Sequence, residues 1–223
     1  MSTEKPLTIS ASSLSLYQDC QRCFWLQLKQ KKRRPAGPFP SLPGGIDRVM
    51  KSYFDRFRIT GLPPELKGKF EGRLFSDQEK LNNWRMWQRG LAYYDKQKHA
   101  QFVSALDDLL IDQDGKHVPL DFKTKGGQVK EGAEEYNRLQ LSSYALLLEE
   151  NHLTTAGYGL LMFVWPREVQ DGLVIPFDVE LRKVKTEPQD AKKLFYEAVD
   201  FLNGPTPPHV ESCAFCQWNL YNN

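Results

Sequence analysis

The chain has no run approaching the ~18 uninterrupted apolar residues of a membrane span, and the segment Met1–Pro6 is polar, without the apolar stretch of a secretory signal. The expectation from this is an intracellular protein with no membrane partner. It also has little net charge. Thirty Lys and Arg against twenty-eight Asp and Glu leave only +2, so any nucleic-acid contact has to rest on a local patch and not on the overall field. Histidine is scarce, at four residues, and so is cysteine, also at four. The cysteines fall in two Cys-x-x-Cys pairs, Cys20/Cys23 and Cys213/Cys216. In a reducing compartment that pattern points to metal or redox chemistry and away from structural disulfides.

Enough apolar material remains to fold: 40% hydrophobic and 12% aromatic over 223 residues. That fits one globular domain and excludes a disordered chain. No internal repeat or low-complexity segment is present.

Along the chain, Ser10–Lys29 reads as one helix carrying Leu14, Tyr17, Phe24 and Leu28 as an apolar stripe. The stretch Pro35–Gly45 is too rich in Pro and Gly for regular structure. Ile46–Arg58 is helical. Trp84–Tyr94 fits a helix or a strand. Gln101–Asp112 and His117–Lys123 read as two extended runs around Asp114-Gly115, a hairpin signal. Glu131–Asn151 reads as an amphipathic helix, Tyr158–Trp165 and Val174–Val184 as strands, and Pro188–Leu202 as a last amphipathic helix. The order predicts an α/β or α+β arrangement, with a central mixed sheet flanked by helices.

Within the hairpin, Asp121 and Lys123 occupy alternate positions of an apolar strand and so share a face. Leaving both charges on a buried strand is costly without partners. A divalent cation held through carboxylate oxygen, and a phosphate, would be such partners. The preceding strand offers Asp107 and Asp108. A two-residue loop, Asp114-Gly115, would pair Asp108 with Asp121. A three-residue loop, Asp114–Lys116, would set Asp107 opposite Lys123. Register alone leaves both open.

Ser104-Ala105-Leu106-Asp107, then Asp121-Phe122-Lys123, then Gln140-Leu141-Ser142-Ser143-Tyr144 resemble the three core motifs of the RecB-type PD-(D/E)xK nucleases: Gly-x-x-Asp, Asp/Glu-x-Lys and Gln-x-x-x-Tyr. The family glycine is Ser104 here. The resemblance implies a restriction-endonuclease-like core and one nuclease domain over residues 1–223. It favours Asp107 over Asp108 as the first ligand. It further implies Mg²⁺ or Mn²⁺ held by Asp107, Asp121 and the Phe122 carbonyl, with Lys123 positioning water and with Gln140 and Tyr144 positioning the strand. Members often carry a further histidine ligand on an early helix. That helix has none, and Asp47 stands in the comparable place, with Lys51 one turn on.

Two Cys-x-x-Cys units supply the four thiolates of a closed tetrahedral site. Such a site would join an N-terminal segment, about 10–34, to a C-terminal one, about 205–223. The resemblance to CRISPR adaptation nucleases and helicase-nucleases implies a [4Fe–4S] cluster, while the spacing alone suits Zn²⁺ equally. The basic run Lys29, Lys31, Lys32, Arg33 and Arg34 is the candidate for DNA-backbone contact. Trp84, Trp87 and Trp165 could stack on bases, but core packing is the expectation for each. The function expected is DNA phosphodiester hydrolysis, on single strands or ends, in repair, recombination or CRISPR adaptation. Because no helicase motif is present, a helicase or an integrase-type protein would be a separate partner. The rival expectations are a catalytically weak or inactive DNA-binding or assembly module of the same fold, and a zinc or redox interaction protein.

Overall fold

The structure is a computed structural model, and it describes residues 5–35, 37, 41–87 and 90–216. The chain opens with strand β1 (Leu7–Ser10) and two short helices, α1 (Ala11–Asp19) and α2 (Gln21–Lys29). The single helix expected here breaks at Cys20, whose backbone is extended (φ −158°, ψ 105°). Cys20 is the N-cap of α2, its Sγ accepting from the Cys23 backbone N–H at 3.5 Å. Ser10 caps α1 in the same way, through the Ser13 N–H.

Helix α3 (Ser41–Asp55) starts earlier than expected. It takes in Pro43, Gly44 and Gly45, because a proline in a first turn gives up no intrahelical bond. Residues 36 and 38–40 of the expected Pro35–Gly45 loop lie outside the described residues. Strand β2 (Gly72–Leu74) and helix α4 (Gln78–Arg85) follow, then β3 (Leu91–Asp95). Trp84–Tyr94 is thus the end of a helix, a link and a strand.

The expected run Gln101–Asp112 divides into β4 (Ala100–Ser104) and β5 (Asp108–Asp112), which belong to different sheets. The division falls at Leu106, which is fully buried and whose N–H donates to the Trp84 carbonyl at 3.0 Å. Strand β6 (His117–Thr124) leads through a 3-10 turn (Glu135–Asn137) into α5 (Arg138–Glu150). Strands β7 (Tyr158–Pro166) and β8 (Phe177–Lys185) and helix α6 (Pro188–Leu202) complete the described elements.

One sheet has the order β1-β4-β3. The other has the order β2-β5-β6-β7-β8, antiparallel except for the parallel β6–β7 pair. A parallel pair needs a crossover, and α5 is that crossover. The strands are therefore mixed and flanked by helices as expected, but shared between two sheets.

Sheet periodicity then sorts the residues of β6. Val118, Leu120 and Phe122 join Leu160, Met162 and Phe54 in one core. The alternate residues Asp121 and Lys123 face the other side, where α5 packs. Helix α5 is buried from Leu141 to Leu148, so it is a core helix and not the amphipathic one expected. It lies close against the sheet because residue 159 is glycine: a Cβ there would stand 2.9 Å from Leu141 Cδ2.

The hairpin register matches neither alternative. The loop is Gln113-Asp114-Gly115, with Asp112 N–H donating to the Lys116 carbonyl and Gly115 at φ +77°. Asp108 pairs with Leu120, which sets Asp107 across from Asp121.

Candidate active site

The strand β6 carries Asp121, fully buried, and Lys123, half-buried; their charged groups lie 2.7 Å apart. From α5, one turn brings Gln140 and Tyr144 over them. Gln140 Nε2 donates to Asp121 Oδ1 at 2.9 Å and to the Tyr144 hydroxyl oxygen at 2.6 Å, and Gln140 Oε1 accepts from Lys123 Nζ at 2.9 Å. The Tyr144 hydroxyl donates to Asp121 Oδ1 at 3.3 Å. Asp121 Oδ1 is thus held from two sides. Oδ2 receives no hydrogen bond of ordinary geometry, although the Lys123 ammonium is beside it.

The bend between β4 and β5 separates the two neighbouring aspartates. Asp107 turns to the site, its Oδ2 accepting from the Phe122 N–H at 3.1 Å. Asp108 turns away into a fully buried pocket, where Arg58 reaches it at 2.6 Å and Arg85 at 3.0 Å. Arg85 also donates to the Asp107 carbonyl, which fixes the bend. From α3, Lys51 joins the site between two carboxylates, 2.8 Å from Asp107 Oδ1 and 2.8 Å from Asp47 Oδ2. The structure therefore brings Asp47, Asp107, Asp121, Lys123, Gln140 and Tyr144 into one constellation. It adds Lys51, which sequence reading placed only as a neighbour of Asp47. The (i, i+4) spacing of Asp47 and Lys51 was its only signal.

Electrostatics follow from this packing. Burial pushes the Asp121 carboxyl up to about 7, and the nearby Asp107 charge adds to the rise, against the lowering effect of Lys123. Burial alone would lower the Lys51 ammonium, but Asp107 and Asp47 more than offset it and leave it raised. Tyr144 is raised by burial and by Asp121, so it stays a neutral donor. A buried carboxylate oxygen without a hydrogen bond, beside a second carboxylate, suits a hard divalent cation. Asp107, Asp121 and the Phe122 carbonyl between Asp121 and Lys123 are the groups that could hold it.

The four cysteines form a separate buried cluster with Leu16 and Val210 packed on it. Cys20 Sγ lies 3.5 Å from Cys216 Sγ, Cys23 Sγ lies 3.7 and 3.8 Å from those of Cys213 and Cys216, and all four lie within 4.8 Å of one another. They could hold a metal. Burial pushes the Cys23 thiol up to about 12. At Cys213 burial also opposes ionisation, but the backbone N–H of Cys216 and neighbouring thiols bring it down to about 7. Arg34 donates to Cys213 Sγ at 3.6 Å, pairs with Asp19 and lies over the Phe215 ring. It is therefore engaged at the cysteines, while Lys29, Lys31, Lys32 and Arg33 are exposed.

The family model of the PD-(D/E)XK nuclease superfamily matches residues 46–220. The chain belongs to the PD-(D/E)XK nuclease superfamily. The match takes in the aspartate bend, the Asp-x-Lys strand and the Gln/Tyr helix, and the two mixed sheets with flanking helices agree with the superfamily's restriction-endonuclease-like fold. Among solved structures the chain is similar to one titled "Crystal structure of SSO0001", at 13% identity and a TM-score of 0.45, over 98% of this chain and 87% of that one. No curated protein matches it. Among the described residues, no helix of this superfamily member is long and apolar enough to cross a membrane.

The tryptophans do not all sit where expected. Trp84 is buried and stacks on Phe75, and Trp165 packs partly against the core. Trp87 is 75% exposed. Helix α4 ends at Arg85, so Trp87 follows the helix instead of sharing its buried face.

Proposed function

We propose that this protein is a divalent-metal-dependent deoxyribonuclease, one domain over residues 1–223, that hydrolyses phosphodiester bonds in single-stranded DNA or at DNA ends. The observation that carries the reading is the joining of Asp107, Asp121, Lys123, Gln140 and Tyr144 in one hydrogen-bonded cluster around a carboxylate oxygen left without a hydrogen bond. Mg²⁺ or Mn²⁺ would be held by Asp107, Asp121 and the Phe122 carbonyl, with Asp47 tied to Asp107 through Lys51. Such an ion neutralises phosphate charge and makes water a competent nucleophile near neutral pH. Lys123 orients the water and donates to charge developing on the phosphate. Gln140 fixes both Asp121 and Lys123, and Tyr144 keeps Asp121 Oδ1 in place. Lys29, Lys31, Lys32 and Arg33 would follow the DNA backbone. The chemistry suits repair, recombination or CRISPR adaptation, beside a helicase or an integrase-type partner. Cleavage of labelled single-stranded DNA with Mn²⁺ tests it: activity lost in Asp121→Ala supports the reading, and equal activity in that variant refutes it.

The cysteine site is read as zinc. A single tetrahedral ion with Zn–S bonds of about 2.3 Å sets its sulfurs about 3.8 Å apart, close to the 3.5, 3.7 and 3.8 Å of three of the pairs here, with all four sulfurs within 4.8 Å of one another. In a [4Fe–4S] cluster each thiolate binds a different iron, which spreads the sulfurs wider. Arg34 then offsets part of the negative charge of four thiolates. Anaerobically purified protein should be colourless and carry one zinc per chain, and Co²⁺ exchanged into it should give the visible bands of tetrahedral thiolate. A brown, iron-bearing protein would refute the zinc assignment.

A further inference from the structure

Beside the carboxylates lies a cleft of about 500 Å³. One wall is the start of α1, with Ser10, Ser12 and Ser15. Trp87 also lines the cleft, together with Val103 and Ser104 at the end of β4 and Ala105 in the link that leads to Asp107. Gln140 and Tyr144, which bond Asp121, complete the lining. The cleft therefore shares Gln140 and Tyr144 with the constellation of acidic residues. Its lining combines an exposed flat aromatic with the hydroxyls of Ser10, Ser12, Ser15 and Ser104, and holds no carboxylate.

We infer that this cleft holds one nucleotide of a single-stranded nucleic acid next to the scissile phosphate, its base stacked on Trp87 and its sugar-phosphate along the serines of α1. The inference rests on the nuclease reading for its direction and adds a base-stacking subsite to it. Two observations carry it. A tryptophan three-quarters exposed gives up the burial that normally places this residue in a core. An indole stacks on any base, so it holds a strand without reading its sequence. In a duplex the base faces are already covered by neighbours, so only an unpaired base can use the ring. The serine hydroxyls turn to donate or accept as a passing phosphate or sugar requires. Ser10 already shares hydrogen bonds with Ser12 and Ser13, and Ser15 donates to the Ala11 carbonyl, so the wall is built before a strand arrives.

The test compares wild type, Trp87→Ala and Trp87→Phe in the full chain, with Ca²⁺ in place of the catalytic ion, by fluorescence anisotropy of labelled oligothymidylate and of a blunt duplex. Trp87→Ala should weaken oligothymidylate binding about tenfold, Trp87→Phe should recover most of it, and duplex binding should change little. In turnover with Mn²⁺ the loss should appear in KM and leave kcat within about twofold. An abasic position in the stacked register should cost the wild type what Trp87→Ala already costs, and cost that variant nothing more. Unchanged oligothymidylate affinity in Trp87→Ala, or an equal loss on duplex, overturns the inference. The two readings fail separately. Cleavage that depends on Asp121 but not on Trp87 would leave the nuclease standing without this subsite. Strand binding that depends on Trp87, without cleavage by any variant, would do the reverse.

Discussion

Replacing Asp121 by asparagine removes one charge from a site that the fold keeps at a cost. In the metal-free protein the Asp121 carboxyl is held at about 7, against 3.8 for an ordinary aspartate. The folded state therefore keeps its proton over a range in which the unfolded chain releases it. The stability this group contributes is greatest below about pH 4, falls as the pH rises toward 7, and is lost above that. A displacement of about three pH units at about 1.4 kcal/mol each sets a ceiling near 4 kcal/mol. Its main cause is burial, with the Asp107 charge second. Asparagine keeps an oxygen for Gln140 and Tyr144 but turns an amide toward Lys123, which loses its charge partner. The net gain for Asp121→Asn should then be about 1–2 kcal/mol at pH 8. That is a Tm about 3–6 °C above wild type for a chain of this size, vanishing at about pH 6 and reversing by about pH 5, where the wild type is the more stable. Differential scanning fluorimetry at both pH values, with EDTA and then with Mn²⁺, measures it. Mn²⁺ should raise the Tm of the wild type and not that of the variant, which should also fail to cleave DNA. A variant less stable than wild type at pH 8 in EDTA, or one stabilised by Mn²⁺ as much as wild type, would refute the argument.

Other substitutions separate the neighbouring roles. Asp108→Ala should cost about 2–3 kcal/mol in urea unfolding, because it takes the buried counter-charge from Arg58 and Arg85 and leaves them Asp55 alone, whereas Asp107→Ala should stay within about 1 kcal/mol and abolish cleavage. Asp47→Ala should raise the Mn²⁺ concentration for half-maximal cleavage about tenfold; an unchanged requirement would confine Asp47 to pairing with Lys51. A metal held by the four cysteines would tie α1 and α2 to the segment around Cys213, so a chelator should lower stability by several kcal/mol, seen as a fall in Tm. Neutralising Lys29, Lys31, Lys32 and Arg33 together should weaken single-strand binding and flatten its salt dependence, by about 0.7 in slope for every phosphate that is no longer neutralised.

How much was legible depended on how local the cause was. The strand β6 and helix α6 follow from periodicity within a few residues, and both appear close to their expected bounds. The helix break at Cys20 was not legible, because nothing in the local pattern opposes a continuous helix. The break turns two thiols toward a tail nearly two hundred residues away, and that contact decides it. The run from Gln101 to Asp112 read as one strand because its apolar content is continuous, yet its halves serve different sheets, and Leu106 and Arg85 fix the bend between them. The register was open for a related reason. Both loops considered were built around Asp114-Gly115, while the Asp112 side chain, accepting from the N–H groups of Asp114 and Lys116, pins a loop one residue earlier.

By itself, the sequence determined the chemistry available: an Asp-x-Lys pair on an apolar strand, a Gln and a Tyr one helical turn apart, and four thiols in two pairs. Those patterns lie within single elements, where strand and helix periodicity fix which side chains share a face. Only the tertiary structure decided which aspartate serves the site, because Asp107 and Asp108 are adjacent and differ only in which way the bend points them. It also placed Lys51 between two carboxylates, left Trp87 in the open, and drew the four sulfurs to within reach of a single ion. Each of these depends on contacts between elements distant in the chain, and no local pattern carries that information.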